Sequence, residues 1–349
     1  MVLATVRVPC NTISQPISDL TKPKLGTMDR LRCMAPDFLV THSGGFHADE
    51  LLSSVILARL FPAARLVRSR APEWIAPGGD RIIYDVGGAY DPDAGVFDHH
   101  QRGAPLRQDG QPFSSFGLIW RQFGRDYLRA FGVPASDVDA LHEGFDRDFV
   151  LPVDLMDNGA LSPSVAGALS KLTLPVLLET LKPVFDDREP GADDRAFHEA
   201  LAIARGFVEA TIKQGAAKLR AESIVLQAIA AAGDRRVLEL PVGMPFRPAI
   251  VKAGADHLLF VVHPREKDWC LTGIRRSSDG FELRADLPAA WAGLTDENLA
   301  KASGVADATF CHNGRFIAAA RTREAALEMA GIAVAHALAS APGAMSADN

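Results

Sequence analysis

Histidines and aspartates gather in a few short stretches of this chain of 349 residues. Three apolar runs each end in a side chain able to ligate a metal. Phe38-Leu39-Val40-Thr41 is followed by His42, Ile82-Ile83-Tyr84 by Asp85, and Val96-Phe97 by Asp98, His99 and His100. The turn Ser43-Gly44-Gly45-Phe46-His47-Ala48-Asp49 adds His47 and Asp49. The stretch Val153-Asp154-Leu155-Met156-Asp157-Asn158-Gly159 adds two further carboxylates. Clustered carboxylates repel one another and desolvated charge is costly, and a divalent cation resolves the conflict. Imidazole and carboxylate without thiolate suits Mn²⁺ first and Mg²⁺ second, rather than structural zinc. The surplus of ligands suggests two cations sharing a carboxylate. Such a pair, ~3.5–4 Å apart, activates a water and clamps both oxygens of an in-line displacement at phosphorus. Taken singly, His42 reads equally as a core histidine and Asp49 as an acid at a helix N-terminus. Taken together, they argue for a metal site, because the bland reading needs a coincidence at every strand end.

The elements that must position these groups alternate. Residues 38–41, 65–70, 81–84 and 95–97 read as strands, and 50–60 and 114–130 as helices, the latter with Phe116, Ile119, Trp120, Phe123 and Tyr127 at helical spacing. The expected fold is α/β, a mostly parallel sheet flanked by helices, whose strand carboxyl ends converge on one crevice. Residues 137–199 are acidic, with a turn-rich stretch at 186–191 that reads as an exposed linker. A long helix is expected over 197–232, then strands at 236–240, 258–262 and 270–275. A hairpin follows at 308–319, turning on Asn313-Gly314, and a last helix at about 322–341. The resulting division is an extension or mis-assigned start at 1–36, a metal-binding catalytic domain at 37–195, a connecting helix at 196–233, and a smaller α+β substrate-binding domain at 234–345.

The net charge of −6 excludes a protein coated in basic surface, so any nucleic acid is gripped locally. Four scattered cysteines exclude a disulfide scaffold or zinc ribbon and fit a reducing compartment. No apolar run approaches the ~18 residues of a membrane span, and the opening residues lack a secretory pattern. The expectation is a cytoplasmic protein without a membrane partner, an organellar address staying open if residues 1–36 are translated.

Asp98-His99-His100, preceded by Tyr84-Asp85-Val86-Gly87-Gly88 and by His42-Ser43-Gly44-Gly45-Phe46-His47-Ala48-Asp49-Glu50, resembles the DHH phosphoesterase superfamily. Within it, the wording is similar to the melanocyte-proliferating-gene family of metal-dependent 3′→5′ RNA exonucleases. His47 stands where other DHH enzymes carry an aspartate. Asp98-His99-His100-Gln101-Arg102, Ser114-Ser115-Phe116-Gly117-Leu118-Ile119, Val153-Asp154, Asp157-Asn158-Gly159, Trp291-Ala292-Gly293-Leu294 and Arg321-Thr322-Arg323-Glu324 continue the likeness.

The resemblance implies His42, His47 and Asp85 around one cation, and Asp49, Asp85, His99 and Asp157 around the other, with Asp154 as the alternative to Asp157. It implies His100 as a phosphate contact or proton carrier and Asp98 as a brace for its loop. Single-stranded RNA or a short oligonucleotide is the implied substrate, held in part by the second domain, and a homodimer is admissible. Arg102 reads either as a phosphate grip or as a surface arginine. Ser114 and Ser115 read as an anion contact or, preferably, as helix caps. Arg321 and Arg323, at a helix start, read as phosphate contacts or as solvated charge. The family's glycine-rich segment is replaced here by Ala318-Ala319-Ala320, and Trp291 reads as core. Two other functions stay open: a phosphoesterase or pyrophosphatase on small nucleotides, and a non-catalytic RNA-binding protein with structural metals.

Overall fold

A computed structural model of the chain describes residues 35–277 and 280–340. The stretch 1–36 lies outside them except for its last two residues, and Cys10 and Cys33 lie outside as well. Cys270 and Cys311 are buried free thiols. The chain divides into two compact units. One comprises the described residues through Tyr127 together with Val150–Ala204, and the other Leu128–Phe149 together with the residues from Arg205 onward.

In the first unit, β1 (Phe38–Thr41), β2 (Arg65–Arg68), β3 (Arg81–Tyr84), β4 (Tyr90–Asp91) and β5 (Val96–Phe97) lie in the order β2-β1-β3-β5-β4. β1 runs parallel to β2 and β3, β3 runs parallel to β5, and the edge strand β4 is antiparallel. The fold is therefore α/β with a mostly parallel sheet, as expected. Leu39, Val40, Ile82, Ile83, Val96 and Phe97 are all buried, on both faces, which is why these strands read as unbroken apolar runs.

Helix α1 (Ala48–Leu60) is buried on every side over residues 48–57. Ser54 donates to the Glu50 carbonyl at 2.7 Å and meets the Tyr84 hydroxyl at 2.7 Å, and Ser53 lies 3.4 Å from the Ser115 hydroxyl. Helix α2 (Ser115–Ala130) buries Phe116, Ile119, Trp120, Phe123 and Tyr127 along the expected stripe. The acidic stretch holds three short helices that its composition concealed: α3 (Val138–Phe145), α4 (Leu151–Asp157) and α5 (Leu174–Glu179). Both α4 and α5 pack on α1, and α4 thereby carries Asp157 to the first loop motif. Helix α6 (Ala192–Ala232) starts five residues before the expected long helix.

In the second unit, β6 (Val237–Glu239), β7 (Phe260–Pro264), β8 (Trp269–Gly273), β9 (Ala308–Cys311) and β10 (Ile317–Ala320) form a sheet in the order β6-β7-β8-β10-β9. Only β6–β7 is parallel. Helices α7 (Arg247–Lys252), α8 (Asp296–Ser303) and α9 (Arg323–Ala339) complete an α+β unit. Side chains alternate between its two cores. Phe260 and Val262 pack with Leu271, Trp291 and Met329, while Val261 packs with Val225, Leu238 and Ile250. Trp291 is core. In the β9–β10 turn, the left-handed residue is Arg315 (φ 54°) rather than Gly314. Its guanidinium is tied to Asp286 at 2.8 Å and its N–H to the His312 carbonyl at 2.9 Å. Among the described residues, no helix is long and apolar enough to cross a membrane.

Candidate metal centre

The first sheet turns from β1 to β2 on one side and to β3 on the other. The carboxyl ends of β1 and β3 therefore flank the point where strand order reverses, the place where open α/β sheets bind ligands. His42 leaves β1 there and Asp85 leaves β3. Asp98, His99 and His100 follow β5, the parallel neighbour of β3, while α1 contributes Asp49 and Glu50 from its first turn. Asp85 sits at φ 57°, a left-handed conformation that aspartate tolerates better than most side chains.

The side chains meet. His42 Nε2 lies 3.1 Å from Asp85 Oδ2 and 3.0 Å from Glu50 Oε1. His99 Nε2 lies 3.2 Å from Asp85 Oδ1, 3.3 Å from Asp157 Oδ2 and 3.9 Å from Asp49 Oδ2. Asp85 thus joins the two histidines, one on each carboxylate oxygen. Glu50 also accepts at both oxygens from the His47 backbone N–H, at 2.8 and 3.0 Å, which orders the loop between β1 and α1. Ligand atoms of His42, His47 and Glu50 lie within 4.8 Å of one another, and so do those of Asp49, His99 and Asp157, and of Asp85, His99 and His100. His42, His47, Asp85, His99, His100 and Asp157 border a cavity of about 680 Å³ also lined by Arg70, Asp98, Asn158 and Glu179, with Asp49 and Glu50 buried behind them.

Buried charge here is held in place by opposite charge. Burial opposes protonation of His42, but Asp85 and Glu50 outweigh it and push its pKa up to about 10. His99 behaves alike, raised to about 9 against burial by Asp85, Asp49 and Asp157. Burial would raise Asp85, yet the two histidines hold it down at about 2. Burial and neighbouring carboxylates raise Glu50 to about 8 and Asp157 to about 9, and they raise Asp49 as well. Asp49 Oδ2 accepts from the Ser115 hydroxyl at 2.7 Å, whereas its buried Oδ1 has no hydrogen-bond partner among the described residues. A buried carboxylate oxygen without a donor, ringed by imidazole and carboxylate groups, fits a divalent cation in both geometry and ligand type.

These shifts have a direction that can be measured. The metal-free protein holds protons on His42, His99, Glu50 and Asp157 that the unfolded chain has released at neutral pH. Its stability is therefore expected to fall as pH rises from about 4, first through Glu50 and Asp157 and above about 6 through the histidines as well, toward 10, and to be eroded below about 4 as Asp85 protonates toward 2. Cation binding must displace those protons, so affinity is expected to rise with pH and proton release to exceed one per site. Calorimetry of Mn²⁺ binding in buffers of differing ionisation enthalpy checks this, and pH-independent binding would refute it.

The remaining candidates fall in different places. Asp98 Oδ1 accepts from the His99 N–H at 2.8 Å, the His100 N–H at 3.2 Å and His100 Nδ1 at 2.7 Å, and its Oδ2 accepts from the Gly88 N–H at 2.6 Å. His100 is consequently left with Nε2 to meet a ligand, and its side chain is 62% exposed. Asp154 is not beside the other candidate ligands. It is buried between Ser114 Oγ (2.7 Å), Arg107 (2.6 Å) and the Gly117 N–H (3.0 Å), so α4 directs Asp154 inward and Asp157 to His99. Ser114 and Ser115 are fully buried and donate to Asp154 and Asp49; they orient acids rather than face the cavity. Arg102 is exposed and does not line the cavity. In the second unit, Arg323 makes a two-pronged pair with Glu239 at 2.5 and 2.7 Å, and Arg321 is exposed.

Two residues escaped the sequence reading. Glu50 passed for the first position of a helical pattern, although a capping-box acid so close to two histidines was a signal. Arg70 follows an edge strand with no motif around it.

A family model described as MYG1_exonuc, an uncharacterised protein family (UPF0160), matches residues 38–334. The MYG1 protein C694.04c of Schizosaccharomyces pombe is 32% identical over 321 residues, covering 84% of this chain and 95% of that protein. The MYG1 exonuclease of Homo sapiens is 32% identical over 332 residues, covering 86% of each. The structure of RecJ in complex with Mn²⁺ from Thermus thermophilus aligns with 89% of this chain and 54% of its own at 14% identity, with a TM-score of 0.28, a likeness too slight to bear on function.

Proposed function

The chain belongs to the MYG1_exonuc family (UPF0160), and from that premise we propose that it is a metal-dependent exonuclease that removes nucleotides stepwise from the 3′ end of single-stranded RNA. The observation that carries the hydrolytic reading is the convergence of donors from four separate segments on one cavity at the sheet's carboxyl edge.

Two divalent cations, Mn²⁺ by preference, fit the donor set: His42, His47, Asp85 and the newly found Glu50 toward one, Asp49, Asp85, His99 and Asp157 toward the other. When bound, they supply Lewis-acid polarisation of the phosphate and a more acidic attacking water. The protein's own groups do the rest. Asp85 fixes the two histidines at a common spacing. Asp98 locks the His99–His100 backbone and holds His100 Nδ1, so that Nε2 is free to exchange a proton with the departing oxygen.

Among the described residues that line the cavity, Arg70 is the one cationic lysine or arginine, and its Nε reaches only the Ser43 carbonyl at 3.4 Å. Its neighbour Arg68 is instead tied down by Asp194 at 2.8 Å, by the Gly44 carbonyl and by the Phe197 ring. Arg70 is thus placed to grip a phosphate oxygen. Arg70→Ala is expected to lower kcat/KM by roughly tenfold or more, chiefly through KM, the size of one charge-assisted hydrogen bond. Steady-state kinetics with unchanged KM would remove it from the substrate grip.

The function itself is tested with RNA and DNA oligomers blocked at either end, in Mn²⁺, with Asp157→Ala alongside. Shortening of 5′-blocked RNA while 3′-blocked RNA resists is the expected result. Turnover confined to pyrophosphate or cyclic dinucleotides would transfer the same centre to small substrates. Binding of RNA without cleavage would overturn the catalytic reading.

A further inference from the structure

The second unit carries a cavity of about 780 Å³ whose wall holds Arg247, Arg275, Arg276 and Arg284 beside Thr272 and Phe281. A second cavity of about 510 Å³ shares Arg247, Arg275 and Arg284 with it. Four arginines border this one cavity against two acids, Glu282 and Asp286, in a chain with a net charge of −6. They are not equivalent. Arg284 is engaged by Asp256 at 3.0 Å and by the Ala255 and Leu258 carbonyls. Arg276 reaches Glu282 at 3.4 Å and the Leu283 carbonyl at 3.0 Å. Arg247 and Arg275 have no carboxylate partner among the described residues. They instead face each other's charge, and burial together with Arg275 lowers the Arg247 pKa. The Arg275 guanidinium carbon lies over the Phe281 ring, 4.7 Å from its centroid, and Phe281 is 84% exposed. Phe316, on the same wall, is 41% exposed.

An unneutralised arginine pair next to open aromatic rings combines two devices by which proteins hold single strands: cations on the backbone and rings under the bases. The cavity volume lies within the range of small-ligand pockets. We propose that this cavity is a nucleotide-binding site, in which Arg247 and Arg275 hold a phosphate and Phe281 or Phe316 stacks the attached base. The ligand is a nucleotide unit, free or within a single-stranded oligonucleotide. This goes beyond the hydrolytic reading, since binding here needs none of the metal donors and holds whether or not the chain cleaves RNA. It also moves the grip of this unit away from Arg323, which is occupied by Glu239.

The test is binding of a labelled oligouridylate to the full chain in EDTA, followed by anisotropy across a salt series. Free uridine monophosphate and inorganic phosphate serve as competitors. The double variant Arg247→Gln/Arg275→Gln is expected to weaken binding and to flatten the salt slope by about 0.7, the share of one phosphate on a single strand. Phe281→Ala is expected to lose roughly 5- to 150-fold, the range for one stacked base. Lys301→Ala, which removes an exposed charge outside the cavity, controls for net charge. Competition by uridine monophosphate marks a site for free nucleotides as well, whereas competition by oligomers alone confines the ligand to the strand. Equal affinities and slopes for wild type and the arginine pair variant would overturn the proposal, and hydrolysis measured separately in Mn²⁺ keeps that result distinct from failure of the catalytic reading.

Discussion

Asp85→Asn is expected to leave the purified protein nearly free of bound divalent cation and to cut turnover by on the order of a thousandfold. The magnitude follows from the several kcal/mol of charge stabilisation such cations supply, at about 1.4 kcal/mol per factor of ten. Asp85 is the residue to choose because its two oxygens serve two histidines from different segments, 3.1 Å from His42 and 3.2 Å from His99. Asparagine keeps the shape and accepts the left-handed backbone that Asp85 adopts, so loss of the charge is separated from loss of the fold. With the carboxylate gone, both histidines lose their largest upward influence and their pKa values drop. Metal analysis after dialysis, circular dichroism and single-turnover hydrolysis together check the expectation. A folded variant with full metal content and activity would dismantle the centre described here.

Gly117→Ala should be the most damaging single-methyl change in the first unit. A Cβ there would lie 2.1 Å from Asp154 Oδ2 and 2.7 Å from its other carboxylate atoms. In an ordinary helix the same change is stabilising by about 1 kcal/mol, so the sign is diagnostic. Here the methyl must evict a buried carboxylate that holds Ser114, Arg107 and the Gly117 N–H, and the loss is expected to be roughly 3 kcal/mol or more. At about 2–4 °C per kcal/mol for a unit of this size, the midpoint should drop by ~6–12 °C. Thermal unfolding of the metal-free chain measures it, and a midpoint equal to or above wild type would show that Asp154 can move aside.

These two residues also show what the sequence could and could not convey. The strands bearing His42, Asp85 and Asp98 were legible because each is an uninterrupted apolar run broken abruptly by a polar side chain, the mark of a strand buried on both faces. Helix α4 was not, because Pro152 and three aspartates between 148 and 157 read as a breaker and a charged loop. Without that helix, Asp157 stood as the ligand only by resemblance, with Asp154 as its alternative; with it, they lie on different sides, one toward Ser114 and one toward His99. Ser114 and Ser115 offered hydroxyls whose partners lie 40 and 66 residues away. The pairing of Arg323 with Glu239 spans 84 residues and leaves no local trace. Short-range pattern thus picked out the candidate ligands that the fold brings together, while long-range pairing decided which polar groups remain available.

Leu128–Phe149 belongs to the same unit as the residues beyond Arg205, although Val150–Ala204 intervenes with the other unit. Leu141, from that early excursion, would touch a Cβ at Gly215 of α6 at 2.5 Å, so the two stretches are fitted together closely. One cut cannot divide this polypeptide into self-sufficient halves. A terminal fragment beginning after residue 204 would lack the 22 residues of its unit that include Leu141, packed against α6 at Gly215, and is expected to be less stable and less soluble than one in which they are supplied in trans.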